Sequence, residues 1–399
     1  MAKQSHGTIS RHRKARANAI GMLMASVAMA AVAMPSSAMA DGVQINVIDV
    51  SGNLALTQQV FDNYLAANPE KVSRFTFTKA PAPELAGKIQ AMQNANRMDI
   101  DIVLTGADGL AAGMQLGLWE DLTPYIDQIG DPNEVLNPGA VTLQALADMQ
   151  GVVIAYSQQG PFIEYMPDRV SDVPGTAEEL LAWCKANPNK LIYARPANSG
   201  AGRTFLMGLP FILGDSDPKD PINGWDKTWA YLAELNTCIE YYPSGTSTTF
   251  KELGNGTRDI AITSMGWDIN PRYLGTVPAS AEVAILDNTT FIGDGHLFSI
   301  PKGLSEERRA VAIDVLKFML QPEQQAITYD AGYLYPGPSV KGVTIDMAPE
   351  ESQQVMAEFG RPMYDELIET TPIDVILEPD LMIEAFRKWD EEIGAGKGD

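Results

Sequence analysis

Thr248 to Tyr273 reads TTFKELGNGTRDIAITSMGWDINPRY, which predicts a short helix, a Gly-Asn-Gly turn, a strand and a loop. The two glycines permit the positive φ with which helices commonly end. The apolar strand that begins at Asp259 leads into small, aromatic, acidic and amide side chains. In an open α/β sheet, ligands bind outside the carboxyl ends of the strands. The stretch therefore predicts a ligand loop that contains Trp267 and Asp268. The alternative is an ordinary turn that buries the tryptophan.

Three other predicted strands also end in small polar residues that precede a helix. Residues 43–50 lead into Ser51-Gly52-Asn53, residues 99–104 into a loop that starts at Thr105, and residues 191–194 into a loop with two glycines. Strands that alternate with helices predict an α/β fold. A helix N-terminus at the end of a strand suits a polar ligand, although a simple helix cap would use the same residues. The candidate ligand contacts in these loops are Ser51, Asn53, Thr105, Asp108, Asn198, Ser199 and Arg203.

Local signals predict several further elements. Thr176 to Ala186 and Ser305 to Leu320 each begin with a capping hydroxyl and acidic residues in the first turn, which is typical of helices. Cys238 to Tyr242 reads as a strand, and Pro349 to Ile368 as a helix. The Gly-, Lys- and Asp-rich C-terminus is expected to be frayed.

The N-terminus is typical of an export signal. Basic residues between Arg11 and Arg16 precede an apolar run from Ala19 to Met34, and Ala38-Met39-Ala40 fits a cleavage site. The alternative, a membrane anchor, requires a longer apolar run than this one. We therefore interpret residues 1–40 as a signal peptide that is cleaved near Ala40, and we expect no stable membrane insertion afterwards.

The charge and the few histidines restrict the function. The net charge is −22, and removing residues 1–40 takes it to about −27, because that segment holds five basic and no acidic residues. Such a surface repels nucleic acid and anionic lipid. Only His296 follows Ala40, which excludes a His-rich metal site and leaves a single candidate base for a catalytic triad. We predict no metal and no cofactor.

The remaining chemical candidates leave alternatives open. Cys184 and Cys238 are either a disulfide, as exported proteins allow, or two buried free thiols. A secreted hydrolase with His296 as its base is the alternative function. Ser216-Asp217-Pro218-Lys219 matches a Ser-x-x-Lys pattern, but its proline and the preceding Gly214 indicate a turn rather than the start of a helix. An interpretation of His296 as a core or hinge histidine is simpler.

Several motifs together resemble one family. They are INVIDVSGN from Ile45, DIVLTGADGLAAGMQLGLWEDLTPY from Asp101, GTRDIAITSMGWDINPRY from Gly256, HLFSIPKGLSEERRAVAIDVLKFMLQPEQQ from His296 and AGYLYPGPS from Ala331. In their order they resemble the family-one extracellular solute-binding proteins of bacterial ABC importers. Each motif alone is weak, but together they extend over nearly the whole chain after residue 40.

The resemblance implies a two-lobed periplasmic-binding-protein fold of type II, with mixed sheets flanked by helices. Lobe one would comprise residues 41–152 and 297–330, and lobe two residues 153–296 and 331–399. The solute would bind in a cleft that closes by a hinge. Tyr156 and Tyr335, near the predicted crossings between the lobes, complete the candidate contacts. The resemblance further implies a periplasmic, non-enzymatic protein of a Gram-negative bacterium, which as a monomer delivers a small solute to a membrane permease.

The residues give conflicting indications about the solute. Trp267 beside Asp268 suits an ammonium group, since a ring face and a carboxylate both attract cations, but it also suits a sugar. Arg195 and Arg203 instead favour a carboxylate or a phosphate. Iron-binding members carry adjacent tyrosines where this chain has Trp267-Asp268, which disfavours ferric iron. A cationic amine such as a polyamine and a sugar or polyol are the two leading predictions.

Overall fold

The fold was analysed in a computed structural model that describes residues 42–50, 52–80 and 82–398. The predicted signal peptide, residues 1–40, and Ser51 lie outside the described residues. For residues 53–56, 82–83 and 158–159 only the backbone is described. The described residues all belong to one compact unit. In the described part of the chain, no helix combines the length and the apolar character that a membrane span needs.

Strands and helices alternate along most of the chain, as predicted. The strands are β1 (Val43–Asp49), β2 (Val72–Lys79), β3 (Ile102–Gly106), β4 (Val152–Gly160), β5 (Phe162–Tyr165), β6 (Leu191–Ile192), β7 (Ile260–Thr263), β8 (Glu282–Ala284), β9 (Phe291–Ser299), β10 (Pro336–Pro338) and β11 (Ile373–Val375). The α-helices are α1 (Asn53–Ala67), α2 (Ala82–Asn94), α3 (Ala107–Gln115), α4 (Ile126–Ile129), α5 (Pro132–Val135), α6 (Pro138–Ala147), α7 (Ala177–Ala186), α8 (Gly200–Leu213), α9 (Asp226–Leu235), α10 (Thr246–Gly254), α11 (Ile269–Tyr273), α12 (Glu306–Met319), α13 (Pro322–Gln325), α14 (Glu350–Phe359), α15 (Met363–Thr370) and α16 (Pro379–Glu392). Short 3-10 helices lie at Thr123–Tyr125, Pro196–Asn198, Asn236–Cys238, Ala326–Gly332 and Ile345–Met347.

The larger sheet is mixed and has the strand order β10-β4-β9-β3-β1-β2, with β11 also paired to β9. β1 runs parallel to β2 and β3, as expected for strands joined through helices, whereas β9 is antiparallel to β3 and β4. Every residue of β9 is buried. β9 therefore lies at the centre of the sheet.

The smaller sheet has the order β6-β7-β5-β8. β7, the strand predicted within the opening stretch, is buried throughout and pairs in parallel with β6 and antiparallel with β5. The carboxyl ends of β6 and β7 therefore point the same way. The loops after them, which carry Asn198 and Trp267, leave the sheet at one edge.

Helix caps explain why several helices begin where the sequence predicts. The hydroxyls of Thr176 and Ser305 accept hydrogen bonds from the backbone N–H groups of Glu179 and Arg308. Each cap satisfies a first-turn donor that has no partner within its helix. The predictions for α7 and α12 are thereby confirmed to within one residue at each end.

Three expectations about local structure are wrong. Cys238–Tyr242 is not a strand: a 3-10 turn ends at Cys238, and the next residues run beside Arg195, whose N–H donates to Pro243 O. The helix expected over Pro349–Ile368 is broken into α14 and α15. The C-terminus is docked rather than frayed, since Lys397 Nζ donates to the carbonyls of Asn236 and Ile239.

Cys184 and Cys238 form a disulfide, which settles the alternative left open by the sequence. It ties α7 to the turn before residue 239. The predicted boundaries of the two lobes stay predictions. The boundaries at residues 152 and 296 fall in or beside β4 and β9. These two strands pair with each other along most of their length within the larger sheet.

Candidate ligand-binding cleft

A cleft of about 320 Å³ lies where loops of both sheets meet. From the larger sheet it receives the loops after β1 and β3 and the middle of β9. From the smaller sheet it receives the loops after β6 and β7. The segment before β10 completes it. The polar and aromatic side chains that line it are Asp108, Asn198, Ser199, Arg203, Thr246, Ser247, Trp267, Asp294, His296 and Tyr333.

Four helices begin at this cleft. Its lining includes Gly52, the residue before α1; Gly106, the residue before α3; Ser199, which caps α8; and Thr246, the first residue of α10. Each of these helices has nine or more residues. The first N–H groups of a helix have no partner within it, and they lie at the positive end of the helix dipole. The cleft therefore offers several backbone donors suited to an anion.

Arg203 joins the two sides of the cleft. Its Nε donates to Asp294 Oδ2 over 2.9 Å, Nη2 donates to the same oxygen, and Nη1 lies 3.6 Å from Asp108 Oδ2. Burial alone would lower the pKa of Arg203. The negative charges of Asp294 and Asp108 have the larger effect, so the pKa of Arg203 is raised. Burial raises the pKa of Asp108 although Arg203 and the Gly109 N–H counteract it. Nη1 is buried and donates no hydrogen bond to any described residue.

His296 lines the cleft from β9, two residues after Asp294. It is only 9% exposed, and its Nδ1 has no hydrogen-bond partner among the described residues. Burial lowers its pKa to about 4, despite the nearby carboxylate of Asp294. The ring is therefore neutral near pH 7 and offers one donor and one acceptor.

The hydrolase alternative gains no support from this geometry. No described serine, threonine or cysteine hydrogen-bonds to His296, as a triad requires. Ser216 lies in the predicted turn, where its hydroxyl donates to Gly224 O, and Lys219 Nζ pairs with Asp374 at 2.7 Å. Neither residue lines the cleft.

Three aromatic rings pack against one another along one wall. The Phe250 and Trp267 ring centroids are 5.8 Å apart at an interplanar angle of 24°, and those of Trp267 and Tyr333 are 4.6 Å apart at 52°. Phe250 is buried, whereas Trp267 and Tyr333 are partly exposed and line the cleft. The wall offers apolar ring surface beside polar groups.

Asp268 does not line the cleft, although its neighbour Trp267 does. Its side chain is fully buried and accepts hydrogen bonds from Arg361 Nε at 2.5 Å, Arg272 Nη2 at 3.2 Å and the Tyr364 hydroxyl. Trp267 and Asp268 therefore do not present a ring and a carboxylate to the same solute. The prediction that this pair forms an ammonium site is wrong.

Other candidates from the sequence are also directed elsewhere. The Thr105 hydroxyl is buried and donates to Gly106 O, Tyr156 packs over Gly139, and the Tyr335 hydroxyl donates to Asp365 Oδ1 at 2.6 Å. Arg195 reaches the C-terminal segment, where Nη2 donates to Lys397 O. Ser51 lies outside the described residues, and of Asn53 only the backbone at the start of α1 is described. The candidates that the fold brings together are Asp108, Asn198, Ser199, Arg203 and Trp267.

Sequence reasoning missed five of the residues that line the cleft with polar or aromatic side chains. Thr246 and Ser247 follow Pro243-Ser244-Gly245, a loop signal that could have identified them. Asp294 and His296 lie inside a strand, where the alternation of side chains does not show which face a cleft will occupy. Tyr333 belongs to the same AGYLYPGPS motif as Tyr335, the tyrosine that the sequence predicts as a contact.

Solved structures share this fold at low identity. The periplasmic binding protein AfuA from Actinobacillus pleuropneumoniae, with exogenous fructose-6-phosphate bound, has a TM-score of 0.64 and 17% identity, covering 88% of this chain and 99% of its own. A putative spermidine/putrescine ABC transporter protein from Listeria monocytogenes has a TM-score of 0.62 and 15% identity, covering 88% and 99%. A ferric binding protein from Campylobacter jejuni has a TM-score of 0.61 and 14% identity, covering 88% and 98%. These likenesses show the type II periplasmic-binding fold.

The sequence itself identifies the family. No curated protein matches the chain. Residues 59–354, however, match the sequence profile described as bacterial extracellular solute-binding protein. The chain belongs to this family, whose members are the periplasmic substrate-binding components of ABC transporters.

Proposed function

We propose that this protein captures a compact polyhydroxylated solute that carries a phosphate or a carboxylate, and delivers it to an ABC permease. The observation that carries the proposal is the convergence of four helix N-termini on one cleft, beside the Arg203 guanidinium. Backbone N–H groups at helix N-termini bind anions. Arg203 Nη1 is buried and lies 3.6 Å from Asp108 Oδ2 without a hydrogen bond to any described residue, so that a solute oxygen would satisfy it.

The remaining lining supports a hydroxylated body for the solute. Asp108 and Asp294 can accept hydrogen bonds from hydroxyls, while Ser199 and Ser247 can donate or accept. The ring wall can pack against the apolar face of a sugar. At about 320 Å³, the cleft lies at the lower end of the roughly 300–1,000 Å³ that ligand pockets span. These features favour a single small unit over an oligomer.

An organic cation is the second candidate. Asp108 and Asp294 bring two carboxylates to the cleft, whereas Arg203 brings only one guanidinium. The net charge of these side chains is therefore −1 when both acids are ionised. Partly exposed rings also attract cations. We favour the anion-bearing solute because Asp294 is already engaged by Arg203, and because the helix N-termini supply positive potential that the side-chain sum omits.

The cellular part of the proposal rests on the family and on the N-terminal sequence. Residues 1–40 would direct export to the periplasm of a Gram-negative cell and be removed near Ala40. The remaining chain would bind solute as a monomer. It would close by a hinge between the two predicted lobes.

A thermal-shift panel on purified residues 41–399 tests the solute class. Matched pairs isolate the anionic group: fructose against fructose 6-phosphate, and glucose against glucuronate, with spermidine and thiamine as cations. A ligand that binds only the folded state adds about 2.7 kcal/mol at a hundredfold excess over its Kd. We expect a shift with the phosphate or the acid and none with its neutral partner. A shift with spermidine alone would contradict the proposal.

Arg203 is the residue on which the anion preference should depend. Arg203→Gln alone would leave Asp294 buried without its partner, which costs about 3–5 kcal/mol of stability. The double variant R203Q/D294N avoids this unpaired charge. We expect it to fold and to lose binding of the anionic solute by at least about tenfold, the order of one hydrogen bond to a charged group. R258Q/E252Q, which removes another arginine–carboxylate pair away from the cleft, is the matched control that should keep the affinity.

A further inference from the structure

Within the three-ring wall, Trp267 contacts both of the other rings. Phe250 stacks against it on the side of the protein interior, and Tyr333 lies against it at a centroid distance of 4.6 Å. The order of the stack is therefore Phe250, Trp267, Tyr333. Trp267 and Tyr333 both line the cleft, and Tyr333 comes from the segment before β10 rather than from the loop after β7.

Tyr333 extends from this stack towards the opposite side of the cleft. Its hydroxyl oxygen lies 3.2 Å from the position that a Cβ on Gly52 would occupy, at the start of α1. The ring therefore lies between the loop after β7 in the smaller sheet and the loop after β1 in the larger one. Burial, together with Asp330 and Asp49, raises the pKa of Tyr333, so its hydroxyl stays protonated and can donate.

The backbone before Tyr333 is fixed in an unusual conformation. Asp330, Ala331 and Gly332 have φ values of 32°, 49° and 78°, which is a left-handed run that L-residues rarely adopt. The Ala331 N–H donates to Ser352 Oγ at 3.1 Å, and a Cβ on Gly332 would lie 2.4 Å from Ile269 Cγ2. Contacts from α11 and α14 therefore hold the segment that aims the Tyr333 ring.

We propose that Tyr333, rather than Trp267, is the ring that meets the solute and determines which solute body is accepted, with Trp267 as its support. The part of this inference that concerns the solute rests on the function proposed above. The part that concerns the order of the rings does not. The sequence favours Trp267 because it lies in the loop after a strand, but the fold places a second ring against it.

The first test needs no solute. Acrylamide quenching of tryptophan fluorescence measures how exposed Trp267 is, and the same measurement on Trp267→Phe subtracts the other five tryptophans. In Tyr333→Leu, we expect the quenching constant of the Trp267 component to rise by about twofold or more, since the ring that covers it is lost. Tyr333→Phe should leave it unchanged. An unchanged constant in Tyr333→Leu would overturn the proposal.

A matched control separates shielding from a general loosening of the segment. Tyr335 lies two residues away and is also partly exposed, but it does not line the cleft. Tyr335→Leu should therefore leave Trp267 quenching unchanged. If it raised quenching as much as Tyr333→Leu does, the effect would come from the backbone and the proposal would fail.

The second test uses fructose 6-phosphate and glucuronate as probes, by isothermal calorimetry. We expect Tyr333→Leu to weaken binding about tenfold, as the loss of a stacked ring does, and Tyr333→Phe to change it little. Equal binding by Tyr333→Leu and the wild type would overturn the proposal. If neither probe binds the wild type, the solute proposed above is wrong, and the quenching experiment alone decides the order of the rings.

Discussion

Glu164 is a buried carboxyl on β5 whose two oxygens have no hydrogen-bond partner among the described residues. The charged groups that face it are Asp268, Arg361 and Arg272, with the Tyr364 hydroxyl nearby. Burial and the charge of Asp268 raise its pKa well above the usual value of 4.5, although the two arginines oppose the shift. Over some range above that value, Glu164 is therefore protonated in the folded protein and ionised in the unfolded chain.

This difference predicts how stability depends on pH. A folded-state pKa above the unfolded one contributes stability that is fully present below the unfolded pKa and is lost as pH rises through the folded pKa. Glu164→Gln imitates the neutral acid and removes this loss. We measure the free energy of unfolding in urea between about pH 5 and about pH 8. The value for the variant minus the value for the wild type should increase with pH, by up to about 1.4 kcal/mol per pH unit.

The control for Glu164→Gln is the same change, from glutamate to glutamine, at an exposed position. Glu178 is exposed at the start of α7, so Glu178→Gln should follow the wild-type profile. Parallel profiles for Glu164→Gln and the wild type would mean that Glu164 ionises in the folded protein as it does in the unfolded chain.

Among the elements, the loop after β7 depends on a distant part of the chain. Asp268 lies between Trp267 and α11, and it is held by Arg361, which precedes α15, and by Tyr364 within α15. Arg361 also pairs with Glu282 at 3.0 Å on β8, and donates to Ala281 O. One buried carboxylate therefore links the loop that carries Trp267 to the C-terminal helices and to the edge of the smaller sheet.

Asp268→Asn should consequently destabilise the protein and disturb Trp267. The variant leaves Arg272 without its buried anion and Arg361 with Glu282 alone, and breaking a buried pair in this way costs about 3–5 kcal/mol. Urea unfolding measures this loss, and the Trp267 component of the fluorescence reports the change in the loop. Glu366→Gln, an exposed neighbour on α15, should cost less than about 0.5 kcal/mol. Comparable losses in both variants would refute the role given to Asp268.

Elements with local signals could be predicted from the sequence, and those that depend on distant partners could not. α7 and α12 begin at capping hydroxyls that lie next to them in the chain. Residues 238–242 have a composition typical of strands, but no described strand pairs with them. In the same way, Asp108 and Arg203 follow strands and were predicted in the cleft, whereas the direction of Asp268 is set by Arg361, 93 residues later. Asp294 was missed because the orientation of β9 depends on its neighbours on both sides.

At the scale of the whole molecule, the disulfide connects the fold to the compartment in which it forms. Cys184 and Cys238 are 54 residues apart, and Cys184 lies in α7, which packs against α9. Closing a loop of this length lowers the entropy of the unfolded chain, which corresponds to about 4 kcal/mol of stability. Disulfides form in oxidising compartments such as the bacterial periplasm. A protein exported through the segment 1–40 would acquire this stability only after it leaves the cytoplasm.

Comparing exported protein with protein produced in the cytoplasm tests this dependence. Exported protein should show no reactive thiol after denaturation, whereas cytoplasmic protein lacking residues 1–40 should show two. The reduced form should unfold at a lower urea concentration, with a free energy of unfolding smaller by about 4 kcal/mol. Oxidation should restore the free energy of unfolding to that of the exported protein. Cys184→Ala/Cys238→Ala should match the reduced form in both preparations. If exported protein retained two free thiols, or if both forms unfolded at the same urea concentration, the disulfide would not link stability to export.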